Sequence, residues 1–327
     1  MKYLRTSLKV IISIGLLGYL VYLADPVKIL EVLNRIWYEG GIIYLVTAAG
    51  LFLLSLFIQS IRWKILVKGY GYPIPTHLLF KYYLIGLFFN NFLPTGIGGD
   101  VLRIYNLIQE SGNRTISFAS VLTERILGIT STLILTIISL LIMQDSLKNN
   151  LLLYIALGML AFVLLLFFIA FSKRMIAPIE SICRKLIFLR AGERIQKFLE
   201  AIRFYSDSKL IFIRILFLSM VSQVSLITMT FLLTIALGVK VTYSYMFLVV
   251  PITFLLSMLP SINGIGFRDG GYVVFLARIG VSKAAALSLS FLTLFIPMIL
   301  SISGGILFML QKKITREEEI KIAEKGM

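Results

Sequence analysis

Six apolar runs dominate this chain: Leu8–Ala24, Gly41–Gln59, Ile116–Met143, Leu151–Phe171, Leu210–Leu237 and Ala284–Leu310. Each reaches the roughly 17–25 residues that a helix needs to cross a hydrocarbon core of about 30 Å. Two shorter apolar stretches, Leu78–Leu93 and Tyr243–Leu259, each run into a glycine-rich break. A mean hydropathy of +0.93, with 58% hydrophobic residues, lies far outside the range of soluble domains. The fold class is therefore all-α, a polytopic helical membrane protein.

The breaks carry charge where a lipid-facing chain cannot. The first reads Asn90-Asn91-Phe92-Leu93-Pro94-Thr95-Gly96-Ile97-Gly98-Gly99-Asp100, with Arg103 one turn on. The second reads Leu259-Pro260-Ser261-Ile262-Asn263-Gly264-Ile265-Gly266-Phe267-Arg268-Asp269-Gly270. Irregular backbone at membrane depth is tolerated only where protein buries it or where it lines a wet cavity. Ionisable groups there mark a pathway or a binding site.

The formal net charge of +16 raises nucleic acid as a partner, but the basic residues cluster in short loops between spans. That is the positive-inside pattern, and no nucleic-acid partner is expected. Cys183 and His77 are the only cysteine and histidine, so neither a metal centre nor a histidine triad is expected. No phosphate-binding loop is present, and no cofactor is expected. Lys2, Arg5 and Lys9 place the N-terminus inside, and Lys312, Lys313 and Arg316 do the same for the C-terminus. The mixed-charge loop with Asp25, Lys28, Glu31, Arg35 and Glu39 then faces outward.

The basic loop after Phe171 reaches the inside only if the first break turns back instead of completing a crossing. The expectation is six full spans plus two re-entrant segments; the alternative is eight full spans. A shift of 168 residues lays Gly96-Ile97-Gly98 over Gly264-Ile265-Gly266, Gly112 over Gly280 and Ser120 over Ser288. It also aligns the runs that start at Gly41 and Leu210. Two inverted halves, about 1–145 and 151–311, follow within one membrane domain of residues 1–315. An amphipathic cytoplasmic segment, 172–209, lies between them, and 316–327 form a charged cytoplasmic tail.

The candidate anion-binding residues are Arg103 and Arg268, with Asn90, Gly98, Gly99, Asn263 and Gly266. Arginine supplies a bidentate fork, and glycines let an anion approach the backbone at a helix amino end. Asp100, Glu124, Arg125, Asp269 and Arg62 make up the candidate charge network. Glu124 and Arg125 are adjacent on a helix and point about 100° apart, so each needs a partner elsewhere, Arg103 or Asp100 in the case of Glu124. Arg62, beside Trp63, reads more readily as an ordinary inner-face anchor. Ser219, Ser222, Gln223, Ser225, Thr228 and Thr230 read as helix-packing groups.

These motifs resemble the lysylphosphatidylglycerol synthase transmembrane-domain family of flippase-like proteins. The resemblance rests on Arg62-Trp63-Lys64, Asn90–Asp100 with Arg103, Thr123-Glu124-Arg125 and Asn263–Gly270, with aspartate at 269 where glutamate is more usual. It implies movement of a charged lipid across the cell membrane. Membrane lipids are the expected partners, with a separately encoded lipid-modifying enzyme as a second one. In full-length synthases, aminoacyl transfer belongs to a soluble domain, and none is expected after the last span here. The alternatives are a membrane transferase of the phosphatidylglycerol lysyltransferase type and a scaffold for a lipid-modifying enzyme.

Overall fold

The computed structural model describes residues 26–38, 40–92, 98–142, 151–171, 209–259, 261 and 264–311, with Tyr19 and Tyr22. The first apolar run, the segment 172–208, the tail and Asn263 lie outside the described residues. Among the described residues the chain forms ten helices and no strand. In chain order these are α1 Pro26–Tyr38, α2 Ile42–Gly69, α3 Thr76–Phe92, α4 Gly98–Ser111, α5 Arg114–Ile142, α6 Leu151–Phe171, α7 Lys209–Ala236, α8 Tyr243–Ser257, α9 Phe267–Ala277 and α10 Lys283–Met309. By length and apolar composition, α2, α5, α7 and α10 can each cross a membrane.

Two boundaries differ from the sequence reading. The mixed-charge segment before Gly40 is not a loop but α1, whose Ile29, Val32, Leu33 and Ile36 face the bundle. Their i, i+3, i+4, i+7 spacing is what makes one apolar helical face. The second run does not stop near Gln59 either: α2 continues to Gly69 and takes Arg62, Trp63 and Lys64 into its interior. Charge ended the apolar run in sequence, but a helix persists where its polar side chains find buried partners.

The two helices that flank each glycine break pack side by side as a hairpin. In the first, Tyr82 donates to Glu110 at 2.7 Å near the base, and the Gly99 amide donates to Asn90 at 2.8 Å near the tip. Helices α3 and α4 thus run antiparallel. A Cβ on Gly99 would lie 2.0 Å from the Gly86 carbonyl oxygen, so glycine is what allows the two backbones to touch. In the second, the Tyr245 hydroxyl donates to the Phe275 carbonyl at 2.7 Å, and Gly271 packs on Thr253 and Leu256. Helices α8 and α9 pair in the same sense.

Under the 168-residue shift, α2, α3, α4 and α5 start within one residue of α7, α8, α9 and α10. Packing follows the same correspondence: α3 lies on α10 and α8 on α5, each hairpin against the last helix of the other half. Helices α2 and α7 form the most extensive pair, at the centre. Gly41 meets Ala236 at one end of that pair, and the Ser55 and Ser222 hydroxyls lie 3.0 Å apart in its middle. The two equivalent helices are therefore antiparallel.

Candidate functional site

Between the hairpin tips lies a cavity of about 190 Å³. Its polar wall comprises Gln59 and Arg62 from α2, Tyr83 and Asn90 from α3, Asp100 and Arg103 from α4, Glu124 and Arg125 from α5, and Ser219, Ser222 and Gln223 from α7. Phe254 and Met258, near the tip of the second hairpin, close the opposite side. Glu124 sits ten residues into α5, about 15 Å along a helix about 43 Å long.

Glu124 is the hub. One carboxylate oxygen accepts from Arg62 Nη2 at 2.7 Å and from the Tyr83 hydroxyl, and the other accepts from Arg103 Nη2. Arg62 Nη1 also donates to Ser219 Oγ at 2.7 Å. Asp100 pairs with Arg103 at 3.4 Å across one helical turn and takes both Nε and Nη2 of Arg125 at 2.7 Å. Three guanidinium groups therefore face two carboxylates, a surplus of one positive charge. A desolvated network of this kind is costly, and it persists only because each charge is paired.

Arg103 is also held by rings. Its guanidinium carbon lies 4.3 Å from the Trp63 ring and 3.8 Å from the Tyr83 ring, which meet each other edge-on at 89°. Trp63 Nε1 donates to Ser120 Oγ at 3.1 Å, which fixes the indole. A desolvated cation over an aromatic face gains about 2 kcal/mol. Arg125 differs from the rest: its side chain is 41% exposed, against 13% for Asp100 and 7% or less for Arg62, Arg103 and Glu124. It is the member of the network placed to exchange partners.

Of the charged residues that the sequence marks for the anion site and the charge network, Arg62, Asp100, Arg103, Glu124 and Arg125 come together here. Arg268 and Asp269 do not line this cavity. Arg268 Nη2 bonds Asp269 at 2.9 Å, and Asp269 accepts from the Ser290 hydroxyl and from the Gly266 amide at 2.7 Å. That carboxylate occupies the amino end of α9, where an external anion was expected. Gly266, at φ +92°, supplies the turn that brings its amide there. Gly98 and Gly99 are buried in the first hairpin, and Gly99 serves the contact with Gly86. Asn90 lines the cavity and ties α3 to α4.

Arg62, a candidate for the charge network that also reads as an inner-face anchor, is 6% exposed and ion-paired to Glu124. Tyr83 and Gln59 carried no signal in the sequence. Ser219, Ser222 and Gln223 did: their i, i+3, i+4 spacing puts them on one side of α7, the side that faces the network.

The family described as lysylphosphatidylglycerol synthase TM region matches residues 7–304. The chain belongs to that family. A UPF0104 membrane protein of Pyrococcus horikoshii is 22% identical over 95% of this chain and 98% of its own length. A second UPF0104 membrane protein, of Methanocaldococcus jannaschii, is 33% identical over 38% of this chain and 37% of its own. No solved structure matches. Family and helices together make the protein an integral membrane protein. The matched residues run from before α1 into α10 and so include every member of both charge clusters.

Proposed function

We propose that the protein moves a phospholipid, or a lipid-linked intermediate, with an anionic headgroup across the cell membrane, and that the α2–α5–α7 cavity holds the headgroup on the way. The observation that carries this reading is the buried Arg62–Glu124–Arg103–Asp100–Arg125 network, with its surplus positive charge, at the meeting point of two broken helices. A phosphodiester would neutralise that surplus. Arg125, at the rim, meets it first and releases Asp100; Arg103, fixed by Trp63 and Tyr83, supplies the deeper positive field. A cavity of about 190 Å³ is smaller than the ~300–1,000 Å³ of ordinary ligand pockets, so it takes a headgroup and leaves acyl chains in the bilayer.

In this reading the two hairpins are re-entrant from opposite faces and the halves are inverted repeats, the usual basis of alternating access. Both termini lie in the cytoplasm. Antiparallel α2 and α7 speak for inversion, and the paired bases of each hairpin speak for re-entry. Glu124 already accepts from Arg62, Arg103 and Tyr83, which speaks against a general base and hence against a transferase at this site.

The test is reconstitution into liposomes with a fluorescent phosphatidylglycerol and a membrane-impermeant quencher. Exchange between leaflets should rise by roughly tenfold or more over protein-free vesicles, about 1.4 kcal/mol on the barrier. Unchanged exchange for phosphatidylglycerol and for every other anionic phospholipid tried would reject the reading.

A further inference from the structure

A second cavity lies at the other end of the bundle. It measures about 690 Å³, within the ~300–1,000 Å³ range of ligand sites. Three separate elements each contribute a lysine to its wall: Lys28 from α1, Lys240 from the turn after α7, and Lys283 at the start of α10. Glu31 is the acidic residue in its wall. From Gly41, beside this end, to Arg62 is 21 residues along α2, about 30 Å. The two cavities are therefore different sites.

Two features identify what this cavity takes. Lysines in the short loops of membrane proteins collect on the cytoplasmic side. In the proposed orientation these three face outward, and they converge on one concavity instead of scattering. The flanking helix α1 also has three faces. Ile29, Val32, Leu33 and Ile36 pack on the bundle, Lys28 and Glu31 line the cavity, and Val27 and Leu30 are about 60% exposed. An apolar strip beside a cluster of cations is the surface of an interfacial helix that meets headgroups with one side and acyl chains with another.

We infer that this cavity binds the headgroup of an anionic phospholipid from the outer leaflet, with Lys28, Lys240 and Lys283 around the phosphate and the acyl chains along Val27 and Leu30. The inference rests on the proposed orientation in the membrane but not on translocation. It gives the protein a docking site at the face opposite to the base of the first hairpin, where a lipid would be received or released.

Photocrosslinking of the full chain in nanodiscs, with a phosphatidylglycerol carrying a photoactivatable group near its headgroup, tests it. Adducts should map to 26–38 and 237–242 and fall by roughly fivefold or more in the triple variant K28Q/K240Q/K283Q. All three side chains are exposed, so the variant should melt with the wild type. A phosphatidylcholine probe should label this region weakly. Arg125→Gln should slow leaflet exchange by roughly tenfold without reducing the adducts, which lets the two readings fail separately. Undiminished labelling in the triple variant, equal labelling by phosphatidylcholine, or displacement of the probe by millimolar glycerol phosphate would each overturn the inference.

Discussion

Asp100 and Asp269 stand in the same place in their hairpins, in the first turn of the helix that follows the glycine break, and they do different work. Asp269 folds back on the Gly266 amide and holds its neighbour Arg268, so the second hairpin is electrically closed. Asp100 leaves the equivalent task to Asn90 and reaches Arg103 and Arg125. Under the 168-residue shift Arg62, Arg103, Glu124 and Arg125 fall over Thr230, Gly271, Leu292 and Thr293. One backbone plan thus serves two purposes: one half carries the charge chemistry, and the other supplies a packed counterpart with Phe254 and Met258 against the cavity.

The sharpest way to break this asymmetry is to remove the acid from each half. Glu124→Ala strands Arg62 and Arg103 in a dry site, at a cost of about 3–5 kcal/mol. Asp269→Ala strands Arg268, which still donates to the Ser290 carbonyl at 3.4 Å, and costs about 1–3 kcal/mol. Thermal melting in detergent should rank E124A well below D269A; the reverse order would make the second half the electrostatic core.

Glycines give the next effect. Gly99→Ala would force a Cβ to 2.0 Å from the Gly86 carbonyl, and Gly304→Ala one to 1.9 Å from that of Leu84. Each should destabilise by about 1–3 kcal/mol as the helices part. Gly270 meets nothing within 4 Å in α9, and Gly270→Ala should be neutral or stabilising by about 0.5–1 kcal/mol. Melting temperatures of the three variants check this, and a G270A destabilised as much as G99A would contradict the open space at Gly270.

Trp63→Phe is the mildest of the destabilising changes. It keeps a ring over Arg103 and loses the bond to Ser120, for about 1 kcal/mol. A loss as large as that of E124A in the same melting series would mean that the indole, not the carboxylate, organises the network.

Much of this was legible in the chain. The apolar runs mark α2, α5, α7 and α10, because bilayer thickness and unpaired backbone leave few other solutions, whereas α1 lies in a segment that reads as a loop. The shift that laid Gly112 over Gly280 also brings the helix starts into register, and both glycines adopt positive φ where a helix ends. The partners within the site were less legible. Arg62 and Tyr83 approach Glu124 from 62 and 41 residues away, through helix packing that no local pattern encodes. Arg268 was grouped with Arg103 because both follow a glycine break, but its charge is spent on the next residue, Asp269, a pairing that sequence adjacency alone does not establish.

The central claim is that the network of the first half handles the headgroup, and leaflet exchange of phosphatidylglycerol by Arg125→Gln and Arg268→Gln in matched liposomes tests it most directly. Arg125 stands at the rim of the cavity, and Arg268 lies outside its lining. The account predicts that R125Q slows exchange by roughly tenfold while R268Q stays within about twofold of wild type. Wild-type exchange by R125Q, or an equal loss in both variants, would contradict it.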